Sequence, residues 1–170
     1  ADGHGGFPNN VTLCIANQRK QGGRVLGQFF ASDAVMYADE VSGWREAVDT
    51  VTAPLVEHGA IKPSYVDAIK ESIAAPGGTY IDLGWGIALA HARPEAGVVS
   101  TSLSVLHVGK PFLLADDEKH PITTMFCLGA VDSNAHIEMM QALAGLLTDE
   151  QQRTALEHAT TVEQLRAVLD

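Results

Sequence analysis

His91 is the residue whose type and position best suit chemistry in this sequence. It ends an apolar, strand-like run and opens the loop Ala92-Arg93-Pro94-Glu95-Ala96-Gly97. A side chain at a strand end is held by the sheet and stays exposed through the loop. Imidazole accepts and releases a proton or a phosphoryl group near neutral pH, and Arg93 offers a guanidinium fork to phosphoryl oxygens. By itself the His-x-Arg-Pro pattern is weak evidence, and an ordinary surface histidine is the alternative.

His136 is a second candidate because of its place in a helix. The residues Asp132-Ser133-Asn134 offer caps, which puts His136 in the first turn of a predicted helix. Free backbone N–H groups and the helix dipole favour an anion there. The same dipole helps a histidine to stay neutral as a hydrogen-bond donor. Two histidines can therefore meet across a strand end and a helix N-terminus, with an unrelated first-turn histidine as the alternative.

Other chemistries have less support in the sequence. The seven histidines show no H-x-x-x-H or H-E-x-x-H spacing, so no zinc site is expected. No G-x-x-x-x-G-K-[ST] segment is present, which disfavours direct use of ATP. Neither a metal nor another cofactor is expected. The weaker histidine candidates are His4, His58, His107, His120 and His158.

Composition and charge narrow the class of protein. A length of 170 residues favours one domain, and a formal charge of −10 makes nucleic acid an unexpected partner. The two lone thiols, Cys14 and Cys127, fit a reducing compartment, and Cys127 is expected to be buried in its apolar run. No transmembrane stretch or signal peptide is evident. The expected location is therefore the cytoplasm.

The elements that must position the two histidines follow the order helices, strands, helices. Residues 1–24 are interpreted as an extension of unknown role, and the domain is expected to span residues 25–170. A first helix is predicted from Trp44 to Gly59, kinked at Pro54. A second helix is predicted to begin at Pro63.

The later part of the chain predicts the sheet and its C-terminal helices. This order predicts an α/β fold, a mixed sheet covered by helices on both faces. The helix after Asp132 is expected to carry Ile137, Met140, Leu143, Ala144 and Leu147, and capping boxes at Thr148 and Thr161 are expected to open two short helices. The predicted strands are Tyr80–Leu83, Gly86–Leu89, Val98–Val108 and Ile122–Val131.

Five segments together resemble the mannitol/fructose-type EIIA domains of the sugar phosphotransferase system. The Ala-Arg-Pro-Glu continuation after His91 is most similar to the ascorbate branch. The segments keep the family's order and spacing and together cover roughly residues 26–169. They are Trp44–Ala47, Leu55–Val66, Gly86–Val98, Ala130–Ile137 and Ala159–Leu165.

The resemblance implies a roughly five-stranded mixed sheet and a phosphocarrier activity. In the family, the histidine matching His91 takes a phosphoryl group from the carrier protein HPr and passes it to a cysteine of an EIIB partner. The histidine matching His136 lies beside it and stabilises the phosphorylated state. HPr and EIIB are therefore the expected partners, and a membrane is involved only indirectly, through EIIC. No cysteine-bearing EIIB segment is recognised in this chain.

Two departures from the family pattern bear on the site. The residue before the active histidine is usually proline in the family, and here it is Ala90. Mannitol members carry an arginine on the second helix, whereas the matching stretch Lys70-Glu71-Ser72 has none, so Arg93 is the expected substitute.

Some questions stay open at the level of sequence. One alternative is a regulatory protein of the same fold that signals by phosphorylation-dependent binding. Another is a binding domain that has lost phosphate handling. The transported sugar, with ascorbate as one candidate, and the oligomeric state are not fixed by these patterns.

Overall fold

A five-stranded mixed sheet forms the centre of residues 26–170, the part of the chain that the computed structural model describes. The strand order is β1-β4-β5-β3-β2. The strands are β1 (Phe30–Ala38), β2 (Asp82–Gly84), β3 (Ile87–Ala90), β4 (Ser102–Leu113) and β5 (Pro121–Gly129). The helices are α1 (Trp44–Glu57), α2 (Pro63–Ala74), α3 (Ser133–Leu147), α4 (Glu150–His158) and α5 (Val162–Leu169).

The sheet is mixed because its central strands pair in both directions. β5 runs antiparallel to β4 and parallel to β3, while β1 runs parallel to β4 and β2 antiparallel to β3. The predicted fold class, a mixed sheet of roughly five strands, is confirmed. The predicted extension at residues 1–24 lies outside the described residues.

Helices cover both faces of the sheet, and the alternation of side chains along β5 shows how. Met125 and Cys127 belong to the apolar cluster under α1 and α2. Phe126 and Leu128 belong to the cluster under α3, α4 and α5. Because successive side chains of a strand point to opposite faces, this one strand, buried from Thr124 onwards, contributes to two cores.

The first two helices follow their sequence signals. α1 continues through Pro54 to Glu57, and Gly59 next to its end has φ 71°, the left-handed conformation that glycine tolerates. α2 begins at Pro63 as predicted. The predicted core face of α2 is confirmed, since Tyr65, Val66, Ile69 and Ile73 are all buried.

The observed strands differ from the predicted ones in three places. β1 was not predicted, because its pairing shifts register between Phe30 and Val35 and its burial does not alternate cleanly. Tyr80 lies in a 3-10 turn, Gly78–Ile81, so the strand there is only Asp82–Gly84. β4 begins at Ser102 and extends to Leu113, because residues 98–101 form a loop whose Val99 and Ser100 N–H groups donate to the Ala60 carbonyl between α1 and α2.

The C-terminal helices also differ in detail. In α3 the buried residues are Met139, Leu143 and Leu146, whereas Ile137 is 53% exposed, so the predicted face was rotated. Thr148 ends α3 and does not cap α4, whose N-cap is Asp149. Thr161 does cap α5 as predicted.

Candidate functional site

The site lies where two parallel strands end side by side. β3 and β5 pair in parallel as far as Ala90 and Cys127. Because parallel strands bring their carboxyl ends to one edge of a sheet, the segments that follow them are neighbours. His91 follows β3 directly, and the turn after β5 leads to Asp132, the N-cap of α3.

Among residues 26–170, the His91 ring has one hydrogen-bond partner, which it binds through Nδ1. Its Nδ1 lies 2.9 Å from the Leu89 carbonyl oxygen, which can only accept, so Nδ1 carries the proton in this contact. In the neutral ring the lone pair therefore resides on Nε2. The Tyr80 ring stands edge-on to the imidazole, with centroids 5.8 Å apart and an interplanar angle of 88°. Partial burial leaves the ring reachable from solvent.

His91 and His136 line the same cleft, as the sequence predicted. This cleft has a volume of about 640 Å³ and is also lined by Pro94, Asp132 and Ser133. The Asp132 carboxylate caps α3 by accepting the Ala135 N–H at 2.8 Å. The first amides of a helix have no intrahelical partner, so this end of α3 adds donors and a positive dipole end to the cleft. The arrangement suits a small anion next to His91.

Arg93 opens onto a different side of His91. A second cleft of about 420 Å³ is lined by His91, Ser72, Tyr80 and Arg93 together with small alanine side chains. Arg93 is not among the residues that line the His136 cleft. The structure thus places His91 between two clefts, with His136 on one and Arg93 on the other.

The loop that carries Arg93 is fastened to the start of α2. The Lys62 N–H donates to the Gly97 carbonyl at 2.8 Å, and the Ser64 hydroxyl donates to the Ala96 carbonyl at 2.6 Å. Gly97 has φ 149°, and a Cβ there would stand 2.8 Å from the Ser64 Oγ. The close approach of loop and helix therefore requires glycine at this position.

Two tyrosines at the site were missed by sequence reasoning. Tyr80 was placed in a strand, and its edge-on contact with His91 has no sequence signal. Tyr65 was placed on the apolar face of α2, but its hydroxyl reaches the backbone of both Ala92 and Leu128. These partners lie 27 and 63 residues away along the chain, beyond the reach of any local pattern.

The other described histidines have structural partners away from this site. Within residues 26–170, no group of three or more His, Cys, Asp or Glu side chains is placed to hold a metal ion. Over the same range, none of the helices is long and apolar enough to span a membrane. His58 pairs with Asp33, His107 with Thr124, His120 with Asp82, and His158 with the Thr154 carbonyl.

The sequence has clear relatives. It matches the family described as phosphoenolpyruvate-dependent sugar phosphotransferase system, EIIA 2, over residues 28–170. The mannitol-specific cryptic phosphotransferase enzyme IIA component of Escherichia coli (strain K12) is 34% identical, covering 85% of this chain and 97% of the relative. The ascorbate-specific PTS system EIIA component of the same strain is 30% identical, covering 77% of this chain and 85% of the relative.

Solved structures show the same fold. The solution structure of the mannitol-specific cryptic enzyme IIA of Escherichia coli matches with a TM-score of 0.79 at 29% identity, covering 86% of this chain and 98% of that one. The mannitol enzyme IIA of Escherichia coli, solved in complex with phosphorylated enzyme IIB, matches with a TM-score of 0.69 at 22% identity, over 82% of this chain and 96% of that one.

Proposed function

This chain belongs to the EIIA 2 family of the phosphoenolpyruvate-dependent sugar phosphotransferase system, and on that premise we propose that it is a phosphocarrier acting through His91. It accepts a phosphoryl group from HPr on His91 and passes it to a cysteine of an EIIB partner. The carrier domain spans residues 25–170 and works in the cytoplasm.

The observation that carries this proposal is the way His91 is held. The Leu89 carbonyl engages Nδ1 and leaves the Nε2 lone pair as the nucleophile. In the first transfer a bond forms between Nε2 and phosphorus while the bond to the donor histidine breaks. In the second, a thiolate sulfur of the partner attacks phosphorus and Nε2 leaves. Such transfers depend on positioning and charge stabilisation more than on covalent help from the protein.

The surroundings of His91 suit the charge that arrives. A phosphoryl group brings about two negative charges, and the cleft offers the first turn of α3 with His136. Two carboxylates also line this cleft: Asp132 accepts the Ala135 N–H, and Glu95 lies on the loop after His91. His136 is proposed to donate a hydrogen bond to the phosphoryl oxygens.

Arg93 is proposed to contact the phosphoryl group from the second cleft. Ser72, in the α2 stretch that lacks the family's arginine, lines this same cleft. A guanidinium on the loop can therefore reach the same cleft that an arginine on the helix would reach.

The thiol for the second transfer is proposed to come from a partner. Cys127 is completely buried, and burial raises the pKa of its thiol to about 12. A buried, protonated thiol is a poor nucleophile, so Cys127 does not suit the acceptor role. An EIIB cysteine fits that role. The transported compound is proposed to be a sugar or sugar-like molecule, with ascorbate as the candidate indicated by the loop after His91.

The test is phosphorylation from phosphoenolpyruvate through enzyme I and HPr, followed by intact-mass measurement. Wild type should gain one phosphoryl group and His91→Ala none. His120→Ala is the matched control, because His120 is also part-buried with Nδ1 held by an acceptor, at 2.8 Å from Asp82. It should be phosphorylated like wild type. Unmodified wild type with active donors, or modified His91→Ala, would contradict the proposal.

A further inference from the structure

The Tyr65 hydroxyl stands between the two strands that frame the site, just beyond their last pair. It donates to the Leu128 carbonyl at 2.6 Å and accepts the Ala92 N–H at 3.1 Å. The Ala92 carbonyl oxygen, at 3.3 Å, is a longer alternative acceptor for the same proton. Leu128 follows Cys127 on β5, and Ala92 follows His91 after β3.

The Tyr65 hydroxyl bridges the two strand ends in the place where a direct backbone hydrogen bond would otherwise form. In a regular parallel pair, an N–H of one strand bonds the carbonyl of the other directly. Here the phenol oxygen is interposed between the Ala92 N–H and the Leu128 carbonyl, so the two chains are held apart by the width of one atom and its two hydrogen bonds. The separation opens at His91, directly after β3, and faces β5, the strand that is followed by the helix of His136.

Tyr65 is well suited to hold a fixed separation. Its side chain is only 1% exposed and belongs to the apolar cluster under α1 and α2, together with Ile69 and Ile73. Burial raises the pKa of Tyr65 to about 12, so the hydroxyl keeps its proton at any physiological pH. The rigid ring sets the position of the oxygen from α2, which belongs to neither strand.

We propose that Tyr65 is a positioning residue that fixes His91 relative to the N-terminal end of α3. The chemical part of this inference rests on the proposed phosphocarrier function. Without the hydroxyl, the Ala92 N–H and Leu128 carbonyl lose their shared partner, and the strand ends either close on each other or admit water. Either change displaces His91 from His136 and from an in-line approach to the donor.

The kinetic test compares Tyr65→Phe with wild type and with Ser104→Ala. Ser104 is the matched control, because its buried hydroxyl also joins sheet to helix, donating to the Val51 carbonyl at 2.6 Å on the other side of β5 from His91. Tyr65→Phe should lower kcat for His91 phosphorylation on the order of 10- to 100-fold, as misplacement of a reacting group does. KM for phosphorylated HPr should stay within about twofold, because a buried side chain does not touch the donor. Ser104→Ala should keep the kcat of wild type.

A spectroscopic test needs no phosphorylation. The ¹⁵N shifts of the His91 ring report which nitrogen carries the proton. Wild type should show the proton on Nδ1, bound to the Leu89 carbonyl. In Tyr65→Phe the shifts should move towards the average of the two tautomers, while Ser104→Ala leaves them unchanged. This measurement distinguishes failure of the inference about Tyr65 from failure of the proposed function, because the His91 shifts can be compared even if wild type takes no phosphoryl group.

A milder change covers the case in which Tyr65→Phe does not fold. Replacing Ala92 by lactic acid turns its N–H into an ester oxygen, which removes the donor to the Tyr65 hydroxyl and weakens the His91 carbonyl as an acceptor, while the bond from Tyr65 to Leu128 stays in place. This ester variant should also show a lower kcat and shifted His91 signals. Wild-type kcat and wild-type ¹⁵N shifts in whichever variant folds, or an equal loss in Ser104→Ala, would overturn the proposal.

Discussion

Two regions of the same sheet use histidine in opposite ways. In the strand-end region, formed by His91, His136 and the clefts beside them, His91 binds the protein through Nδ1 and opens onto two clefts. In the mid-sheet region, formed by His107 on β4 with Thr124 on β5, the ring is 2% exposed and Nδ1 lies 2.7 Å from the Thr124 Oγ1. Burial lowers the pKa of His107, and the nearby Glu157 on α4 opposes that effect only in part.

The comparison shows how the surroundings of a structural imidazole differ from those of the imidazole proposed to react. Both rings are oriented by the protein, so orientation alone does not separate them. His107 is enclosed within the sheet with Nδ1 against the Thr124 hydroxyl, and burial lowers its pKa, which favours the neutral ring. His91 lies beyond the last residue pair of β3 and β5, and within the described part of the chain its second ring nitrogen has no hydrogen-bond partner. The two histidines therefore differ mainly in position, since His107 lies within a strand and His91 lies just after the end of one.

The largest effect expected within the strand-end region, short of replacing His91, is that of His136→Ala. Losing a donor to the phosphoryl oxygens should slow phosphoryl transfer by about 100-fold. Some phosphorylation of His91 should remain. The fold should be little affected, because His136 is exposed. Rapid-quench measurement of transfer from HPr provides the rate.

Gln141→Ala is the control for His136, an exposed change further along α3. It should transfer at the wild-type rate. A His136→Ala variant that is equally fast would remove His136 from the site and leave the helix end alone as the source of donors.

A smaller effect is expected for Arg93→Ala. Removing one charge-assisted contact should lower the transfer rate by about tenfold, and Arg93→Lys should recover only part of it because an ammonium lacks the bidentate fork. The measurement is the same rate, with Lys110→Ala as a control for loss of an exposed cation elsewhere on the sheet. A full recovery in Arg93→Lys would mean that charge alone matters at the second cleft.

The mid-sheet region should affect how the stability of the fold depends on pH. The depressed pKa of His107 means that the unfolded chain takes up a proton more readily than the folded one. The free energy of unfolding should therefore be highest above pH about 6.5 and fall as the pH drops below it, by up to about 1.4 kcal/mol per pH unit for one such group. Urea unfolding across this range measures the slope.

His107→Gln should flatten that slope, whereas His158→Gln, at an exposed helix end, should leave it unchanged. Folded His107→Gln should be phosphorylated at the rate of wild type. A pH-independent stability in wild type, or a slow transfer in folded His107→Gln, would break the division between the two regions.

Many of the helices and strands that position the two histidines were predictable from local sequence signals. Pro63 at the start of α2, Gly59 after α1 and Asp132 at the cap of α3 are residues whose backbone preferences act within one turn. They were enough to place His91 at a strand end and His136 at a helix start. The mixed sheet followed from the order of these elements.

What was missed depends on contacts across the chain. β1 is hidden by its register shift, and Ile137 is exposed because the first turn of α3 faces the cleft and not the core. Arg93 was expected near the phosphoryl group, but nothing local shows that it lines a cleft separate from that of His136. The hydroxyl of Tyr65 finds partners from two distant strands.

The order of the strands has a consequence for how the chain folds. β4 and β5 are joined by a short connection and share the longest register in the sheet, whereas β1 pairs with β4 from roughly 70 residues earlier in the chain. Local pairing closes a small loop and non-local pairing a large one, so we expect the β4–β5 hairpin to form early and β1 to dock late. The strand ends beside His91 come together when β3 pairs with β5. We expect this step after the hairpin forms and before β1 docks. The folding chain would thus form its β4–β5 hairpin before the strand ends beside His91 come together.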